Sequence, residues 1–336
     1  MTSMRTVCKR RPLLTFTWPL SLPFLCFLTS FQMNIIEDHE ANRASWNAAT
    51  ERHRSHKPDL VKDYVENNRN NLFEEDLELL GDLSGKTVLH LQCNDGQDTV
   101  SIARHCGAPR RVVGVDISDT AIEFANDLRA KLDAATLVSP LTTVEFVRND
   151  IFHFLEDPTH ANTFDVVYTS YGTICWISDL QRWGKGIHTV LREGGKVVLI
   201  DFHPMGTAVR LEESASGVPS ARLSEPSMHG VRCEEAGVGD YVGNDYSGAY
   251  FNPHRSVEFG WGLCDILTGL LGAGLQITHA REYAYVNGWQ MQPGMKDVSS
   301  TQADRNCQQS KYCFPDGVPK TPLMYSFAAM KPQSSL

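Results

Sequence analysis

The strongest constraint on this chain is a rhythm that begins at Thr87. Five short apolar runs, "TVLHLQC", "RVVGVDI", "VEFVRNDI", "FDVVYTSY" and "KVVLIDFH", alternate with stretches of helical spacing. In "DTAIEFANDLRAKL", Ile122, Ala125, Leu128 and Leu132 fall on one face, and Thr120 and Glu123 have the spacing of a capping box. In "DLQRWGKGIHTVLREGG", Leu180, Trp183, Ile187, Val190 and Leu191 share a face, and Gly194 and Gly195 are expected to stop that helix. Val- and Ile-rich strands alternating with helices predict a parallel sheet covered on both faces. Right-handed crossovers make it a doubly wound α/β fold.

The rest of the chain divides around this core. Residues 1–33 carry Arg5, Lys9, Arg10 and Arg11 ahead of an uncharged apolar run, a pattern resembling a signal peptide or anchor. Pro19 and Pro23 interrupt that run, no clear cleavage site follows, and Met33 opens an ordinary polar sequence. The favoured expectation is an upstream extension with translation from Met33 and a cytoplasmic protein; a membrane-anchored or secretory route is the alternative. Residues 34–80 read as helices, the last ending at Gly81. Residues 81–204 are the α/β core. Residues 205–256, rich in Gly, Ser, Pro and Glu, read as an insertion with a hairpin around Tyr241 to Phe251. In residues 257–336, "VEFGWGLCDILTGLLGAGL" predicts a helix with Phe259, Leu263, Ile266, Leu267 and Leu270 on one face, followed by two strands, "LQITHAREYAY" and "LMYSFAAMK".

A net charge of −9 and the lack of a long basic stripe argue against nucleic acid as the main partner. The nine cysteines include no CxxC pair, so neither a zinc site nor a disulfide framework is expected. Cys93 reads as a small packing residue.

The site is expected at the carboxyl ends of the strands, near the switch in strand order. Asn94 to Asp98 follow the first strand, and Gly96 is expected to let backbone approach a ligand. The helix that starts near Asp98 presents free N–H groups there. Asp116, twenty residues after Gly96, ends the second strand and can accept from both hydroxyls of a ribose. Asp150 ends the third strand and can accept from an adenine amino group, with the Ile151 backbone beside the ring. Ile117 and Gln97 flank these positions. Taken singly, Asp116 and Asp150 are equally well read as helix-entry or turn-capping residues; three consecutive strand ends with these groups describe a nucleoside with a charged tail.

This layout resembles the class I S-adenosylmethionine-dependent methyltransferases over roughly residues 42–331. Its carriers are the first motif, "LREGGKVVLIDFHP" through the fifth strand, "LGAGLQITHAREY" and the terminal "LMYSFAAMK". "HLQCNDGQDT", "SYGTICWISDL" and "NGW" resemble a little-described microbial and fungal subgroup. The resemblance implies a seven-stranded Rossmann-like sheet, S-adenosylmethionine as cofactor and methyl transfer to a small-molecule acceptor. It implies that "NRASWNAATERHRSHK", with Trp46 and His53, forms a lid over the cofactor. The first motif departs from the usual "LDLGCGTG". His90, Gln92 and Asn94 stand where the family has its acidic residue and first two glycines, and only Gly96 remains. His90 or the Gln92 carbonyl is expected to handle the amino group of the cofactor instead.

The acceptor should lie past the fourth and fifth strand ends. Ser170 is expected to border the methyl group. Tyr171 is expected to hydrogen-bond the acceptor or form an aromatic wall. His203 is the first candidate for a general base, against a structural histidine before a proline; His254 is second. Trp176 and Trp183 read as core or cavity lining. Tyr241, Tyr246, Tyr250 and Phe251 suggest an apolar or aromatic acceptor. Two competing readings are an NAD(P)-dependent oxidoreductase, which needs a G-x-G-x-x-G that "QCNDGQD" lacks, and a binding protein that kept the fold without the chemistry.

Overall fold

The computed structural model describes residues 23–212, 219–223, 228–242, 250–299 and 309–333, with side chains from residue 35. The apolar leader up to residue 22 and most of the expected 241–251 hairpin, including Tyr246, lie outside the described residues. Residues 1–37 and 38–336 form two compact units. Among the described residues, no helix is long and apolar enough to cross a membrane.

Seven strands form the main sheet: β1 (Thr87–Leu91), β2 (Arg111–Asp116), β3 (Thr143–Arg148), β4 (Phe164–Ser170), β5 (Leu191–Phe202), β6 (Gln276–Tyr283) and β7 (Met324–Met330). Their order is β6-β7-β5-β4-β1-β2-β3. β1 to β5 pair in parallel, while β7 runs antiparallel to both β5 and β6. Strand order reverses between β1 and β4, which opens a crevice at their carboxyl ends. β1 is buried along its whole length, as expected of a central strand with helices on both sides.

The helices are α1 (Pro23–Ser55), α2 (Leu60–Glu66), α3 (Glu74–Leu80), α4 (Gln97–His105), α5 (Asp119–Ala134), α6 (Ile151–Glu156), α7 (Leu180–Val190), α8 (Pro204–Ala208) and α9 (Leu263–Gly272). Two core clusters lie on opposite sheet faces. One packs Trp183, Ile187, Ile266 and Leu270 of α7 and α9 against Leu89, Val167 and Leu199; the other packs Tyr64, Leu80, Val100 and Leu128 against Val88, Val112 and Val198. Each fully buried aliphatic side chain of this kind contributes about 1.5–3 kcal/mol.

Several local expectations are corrected. The cap of α5 is Ser118, whose hydroxyl accepts from Ala121 N, rather than Thr120. α7 ends at Val190 because Leu191 already pairs with Phe164; Gly194 and Gly195 lie inside β5, at an irregular stretch of its ladder. Phe259 belongs to a strand, Ser256–Gly260, paired antiparallel with Val231–Glu235, and the helix starts only at Leu263. That hairpin is fastened to the second half of α1. Asn42 exchanges hydrogen bonds with Val257 N (2.6 Å) and O (2.9 Å). Asp38 pairs with Arg232 (2.7 Å) and Arg255 (3.2 Å), and Asp240 pairs with Arg52 (2.6 Å) and His56 (2.9 Å). The second half of α1 and this hairpin therefore form one piece.

Candidate active site

A cleft of about 1050 Å³ lies over the carboxyl ends of β1 to β5. Trp46, His90, Gln92, Asn94, Gln97, Asp98, Asp116, Ile117, Asp150, Ile151, Ser170, Tyr171 and His203 all line it. His53 and Gly96 do not.

The first turn is built by unusual backbone. Gln92 and Asn94 adopt φ of 53° and 48°, a left-handed conformation that non-glycine residues rarely take, and Gly96 follows at 78°. The side chains offset this local cost. Gln92 Nε2 donates to Thr173 O at 3.0 Å, tying the turn to the loop after β4. Asp95 accepts from Lys57 at 2.7 Å; burial would raise its pKa, and the ammonium more than offsets that, so the carboxylate stays ionised. Gly96 serves packing, not ligand approach. A Cβ there would stand 2.6 Å from Phe146 Cζ and 2.7 Å from Ala125 Cβ.

His90 cannot replace the missing acid with charge. It is buried, it shares a 2.8 Å hydrogen bond with Thr99 Oγ1, and burial pushes its pKa down to about 3, so it is neutral. Two carboxyls supply the negative character instead. Burial raises Asp98 and Asp116 each to about 6, so both are largely ionised at neutral pH. Asp116 accepts from Asn94 N (2.8 Å) and Ser118 N (2.9 Å), one bond per oxygen, which leaves acceptor capacity on both.

Asp150 is more fully committed. It caps α6 by accepting from Phe152 N at 2.8 Å, and its other oxygen meets His39 Nδ1 at 2.6 Å. The turn-capping alternative is thus realised, and His39, whose ring stacks on Phe152 at 5.7 Å, is a lining residue the sequence did not reveal. Trp46 stands edge-on to Trp176 at 5.5 Å and to Tyr241 at 6.4 Å. His53 lies behind them, bonded to Gly239 O at 3.1 Å and packed on Tyr241 at 4.4 Å. It packs against this group without facing the cleft.

Past the end of β4, Tyr171 and Gly172 are both left-handed, at φ 43° and 74°. Asp201 of β5 fixes this turn by accepting from the backbone N–H of Gly172, Thr173, Ile174 and Phe202. Tyr171 Oη donates to Asp76 Oδ2 at 3.0 Å, and Tyr168 Oη donates to Asp76 Oδ1 at 2.8 Å. Asp76 is wholly buried, and burial raises its pKa to about 7. It sits in α3, outside every strand-end motif, so only the folded chain reveals it.

His203 has both ring nitrogens engaged. Nδ1 accepts from Met205 N at 3.0 Å, capping α8, and Nε2 meets Glu282 Oε1 at 2.9 Å. A nitrogen that accepts a backbone N–H is not free to take a proton, so the structural reading of His203 gains over the base reading. His254 is exposed and does not line the cleft. Trp183 is core and Trp176 is lining. Of the aromatic residues of the insertion that are described, Tyr241 lines the cleft, Tyr250 does not, and Phe251 is 78% exposed.

One polar atom of the first turn is left open. Gln92 Oε1 is buried and has no hydrogen-bond partner, an acceptor suited to an ammonium group.

Comparison with known proteins agrees with this geometry. Residues 88–195 match a family model described as a methyltransferase domain. A 2-phytyl-1,4-naphtoquinone methyltransferase of Nostoc punctiforme is 32% identical over 120 residues, 36% of this chain and 48% of the relative. A demethylmenaquinone methyltransferase of Lactococcus lactis is 31% identical over 129 residues, 38% of this chain and 47% of the relative. The chain thus spans about half the length of the curated relatives it matches. A crystal structure of an S-adenosylmethionine-dependent methyltransferase from Mesorhizobium loti superposes with a TM-score of 0.50 at 17% identity, covering 75% of this chain and 94% of that one. Residues 88–195 therefore match a methyltransferase domain, carried on the seven-stranded Rossmann-like fold of the S-adenosylmethionine-dependent methyltransferases.

Proposed function

We propose that this protein transfers a methyl group from S-adenosylmethionine to a small, largely apolar acceptor. The observation that carries the reading is the character of the cleft at the β1/β4 switch point. Beside the first turn it offers acceptors: the unpartnered Gln92 Oε1, Asp98 and Asp116. Such a surface suits a cationic, hydroxyl-bearing ligand. It opposes the pyrophosphate of a dinucleotide, which would face Asp95, Asp98 and Asp116 without a glycine-rich cradle.

Bound there, S-adenosylmethionine supplies a methyl group on a positively charged sulfur, activated for in-line displacement. Gln92 and Asp98 would hold its amino group, and Asp116 the ribose hydroxyls. Ile117 and Ile151 would flank the adenine ring. Trp46, Trp176 and Tyr241 would cover it and exclude water. Ser170 and Tyr171 border the acceptor, and alignment supplies much of the barrier reduction. For an acceptor that carries a proton, Tyr171 leads to Asp76, a carboxyl whose pKa of about 7 suits proton uptake near neutral pH. His203 positions the loop after β5. The ring-bearing substrates named for the quinone methyltransferase relatives support an apolar ring as the acceptor.

Calorimetric titration with S-adenosylmethionine, S-adenosylhomocysteine and NAD(P) tests this. Binding of the first two, weakened by Asp116→Ala, is the expected result. Preferential binding of NAD(P) would replace the proposal with the oxidoreductase, and silence from all ligands with the binding protein.

A further inference from the structure

Asn287, Gly288 and Trp289 form a tight reversal on the cleft wall. Trp289 N donates to Asn287 O at 2.9 Å, with Gly288 at φ 70°, a three-residue turn that favours glycine at its centre. A Cβ on Gly288 would also stand 3.3 Å from Phe73 Cζ. All three residues line the cleft, and all lie outside the segment 88–195 that matches the methyltransferase domain model.

Two polar atoms of this turn have no partner. Asn287 is 2% exposed, and its Nδ2 donates to Glu75 Oε2 at 2.9 Å and to Tyr171 Oη at 3.1 Å. An ionised carboxylate only accepts, so the orientation of the amide is fixed by Glu75. Glu75 is held ionised: burial would raise its pKa, but bonds from Tyr285, Lys311 and Asn287 lower it below the usual range. Asn287 Oδ1 is left buried without a hydrogen bond, and so is Trp289 Nε1. Native structures rarely leave such atoms unmet. The surroundings are aromatic. Trp289 lies 5.1 Å from Phe202, Phe202 lies 6.1 Å from Tyr171, and Tyr171 lies 5.6 Å from Phe73.

We propose that this turn is the acceptor-recognition subsite, taking a flat ring molecule that carries both a hydrogen-bond donor and an acceptor. Asn287 Oδ1 accepts from its hydroxyl or amino group, and Trp289 Nε1 donates to its carbonyl or ring nitrogen. The four rings hold its faces and edges. The proposal rests on the methyl-transfer reading and deepens it by giving the substrate a chemical class. Discrimination follows from the unmet atoms: an analogue lacking either group leaves one of them desolvated and unpaired, which rejects it more strongly than a lost apolar contact would.

The test uses the full chain and three probes of nearly equal size: a hydroxyquinoline with the hydroxyl on the ring remote from nitrogen, naphthol with the donor alone, and quinoline with the acceptor alone. Their affinities are measured by calorimetry with S-adenosylhomocysteine at saturation, whose own binding is recorded first. The hydroxyquinoline is expected to bind about tenfold tighter than either analogue. Trp289→Phe keeps a smaller aromatic ring and removes the N–H; it should abolish the preference for hydroxyquinoline over naphthol, while any loss of ring contact falls on both probes alike. Asn287→Leu should bring hydroxyquinoline down to the level of quinoline, and thermal unfolding verifies that the variant is folded. Equal binding of the three probes, or a preference that survives Trp289→Phe, overturns the subsite while S-adenosylhomocysteine binding keeps the parent reading standing. If S-adenosylhomocysteine does not bind, the parent reading falls, and the same probe series on the free chain still decides the subsite.

Discussion

The two sides of the cleft are built on different plans. Beside the first turn, the lining comes from three consecutive strand ends, and most of its polar groups are already tied to nearby structure: Asp116 to Asn94 and Ser118, Asp150 to Phe152 and His39, Asp95 to Lys57. Past β4 and β5, the lining comes from four separate segments, with Phe73, Tyr171, Phe202 and the turn of Asn287 and Trp289 meeting only in the folded chain. There a buried carboxyl is kept close to neutrality, and two polar atoms are left unpaired. Each side leaves a polar atom unpaired, Gln92 Oε1 on the near side and Asn287 Oδ1 and Trp289 Nε1 on the far side. What separates the two sides is how far apart in the chain the residues lie that build them.

The largest expected effect tests whether the far side holds a proton-accepting carboxyl. Burial raises Asp76 above its unfolded value, so the folded state binds that proton more tightly. Its contribution to stability is therefore full below about pH 4 and is lost as pH rises through about 7. Denaturant titrations at about pH 5 and about pH 8 should show wild type losing about 2–3 kcal/mol more than Asp76→Asn over that interval. Equal losses would erase this contrast between the two sides.

On the near side, Asp116→Ala should weaken S-adenosylhomocysteine about 10- to 100-fold, as expected for lost charge-assisted hydrogen bonds. An unchanged affinity would mean that Asp116 only braces the turn. A smaller effect is expected at the border between the sides: His203→Ala removes a helix cap, so thermal unfolding should report a loss of about 1 kcal/mol with S-adenosylhomocysteine affinity intact. A pronounced loss of affinity would return His203 to the ligand. The smallest change in stability belongs to Gln92→Gly. Relief of a left-handed non-glycine residue, about 1 kcal/mol, opposes the lost bond to Thr173, about 1 kcal/mol. Stability should stay nearly level while S-adenosylhomocysteine binding weakens about three- to tenfold; unaltered binding would show that Gln92 serves the fold alone.

Asp116 and Asp150 were legible as strand-end acids because periodicity placed β2 and β3; Asp116 is the last residue of β2, and Asp150 lies two residues past β3. Periodicity was less informative where a residue's neighbour is distant. Phe259 fits a helical face by spacing, yet Ser256–Gly260 is a strand because Val231–Glu235 lies beside it. Gly96 looked like room for a ligand, whereas Phe146 and Ala125 occupy the space next to it. His203 ended a strand as a base should, but its bond to Glu282 spans 79 residues.

The sequence by itself determined the doubly wound sheet, its strand ends and the altered first turn, because hydrophobic period and turn chemistry act over a few residues. Only the tertiary structure decided that His90 is neutral, that Asp76 backs Tyr171 and that Asn287 and Trp289 face the cleft with atoms unmet. Burial and hydrogen-bond satisfaction depend on partners brought from elsewhere in the chain, and no local spacing encodes them.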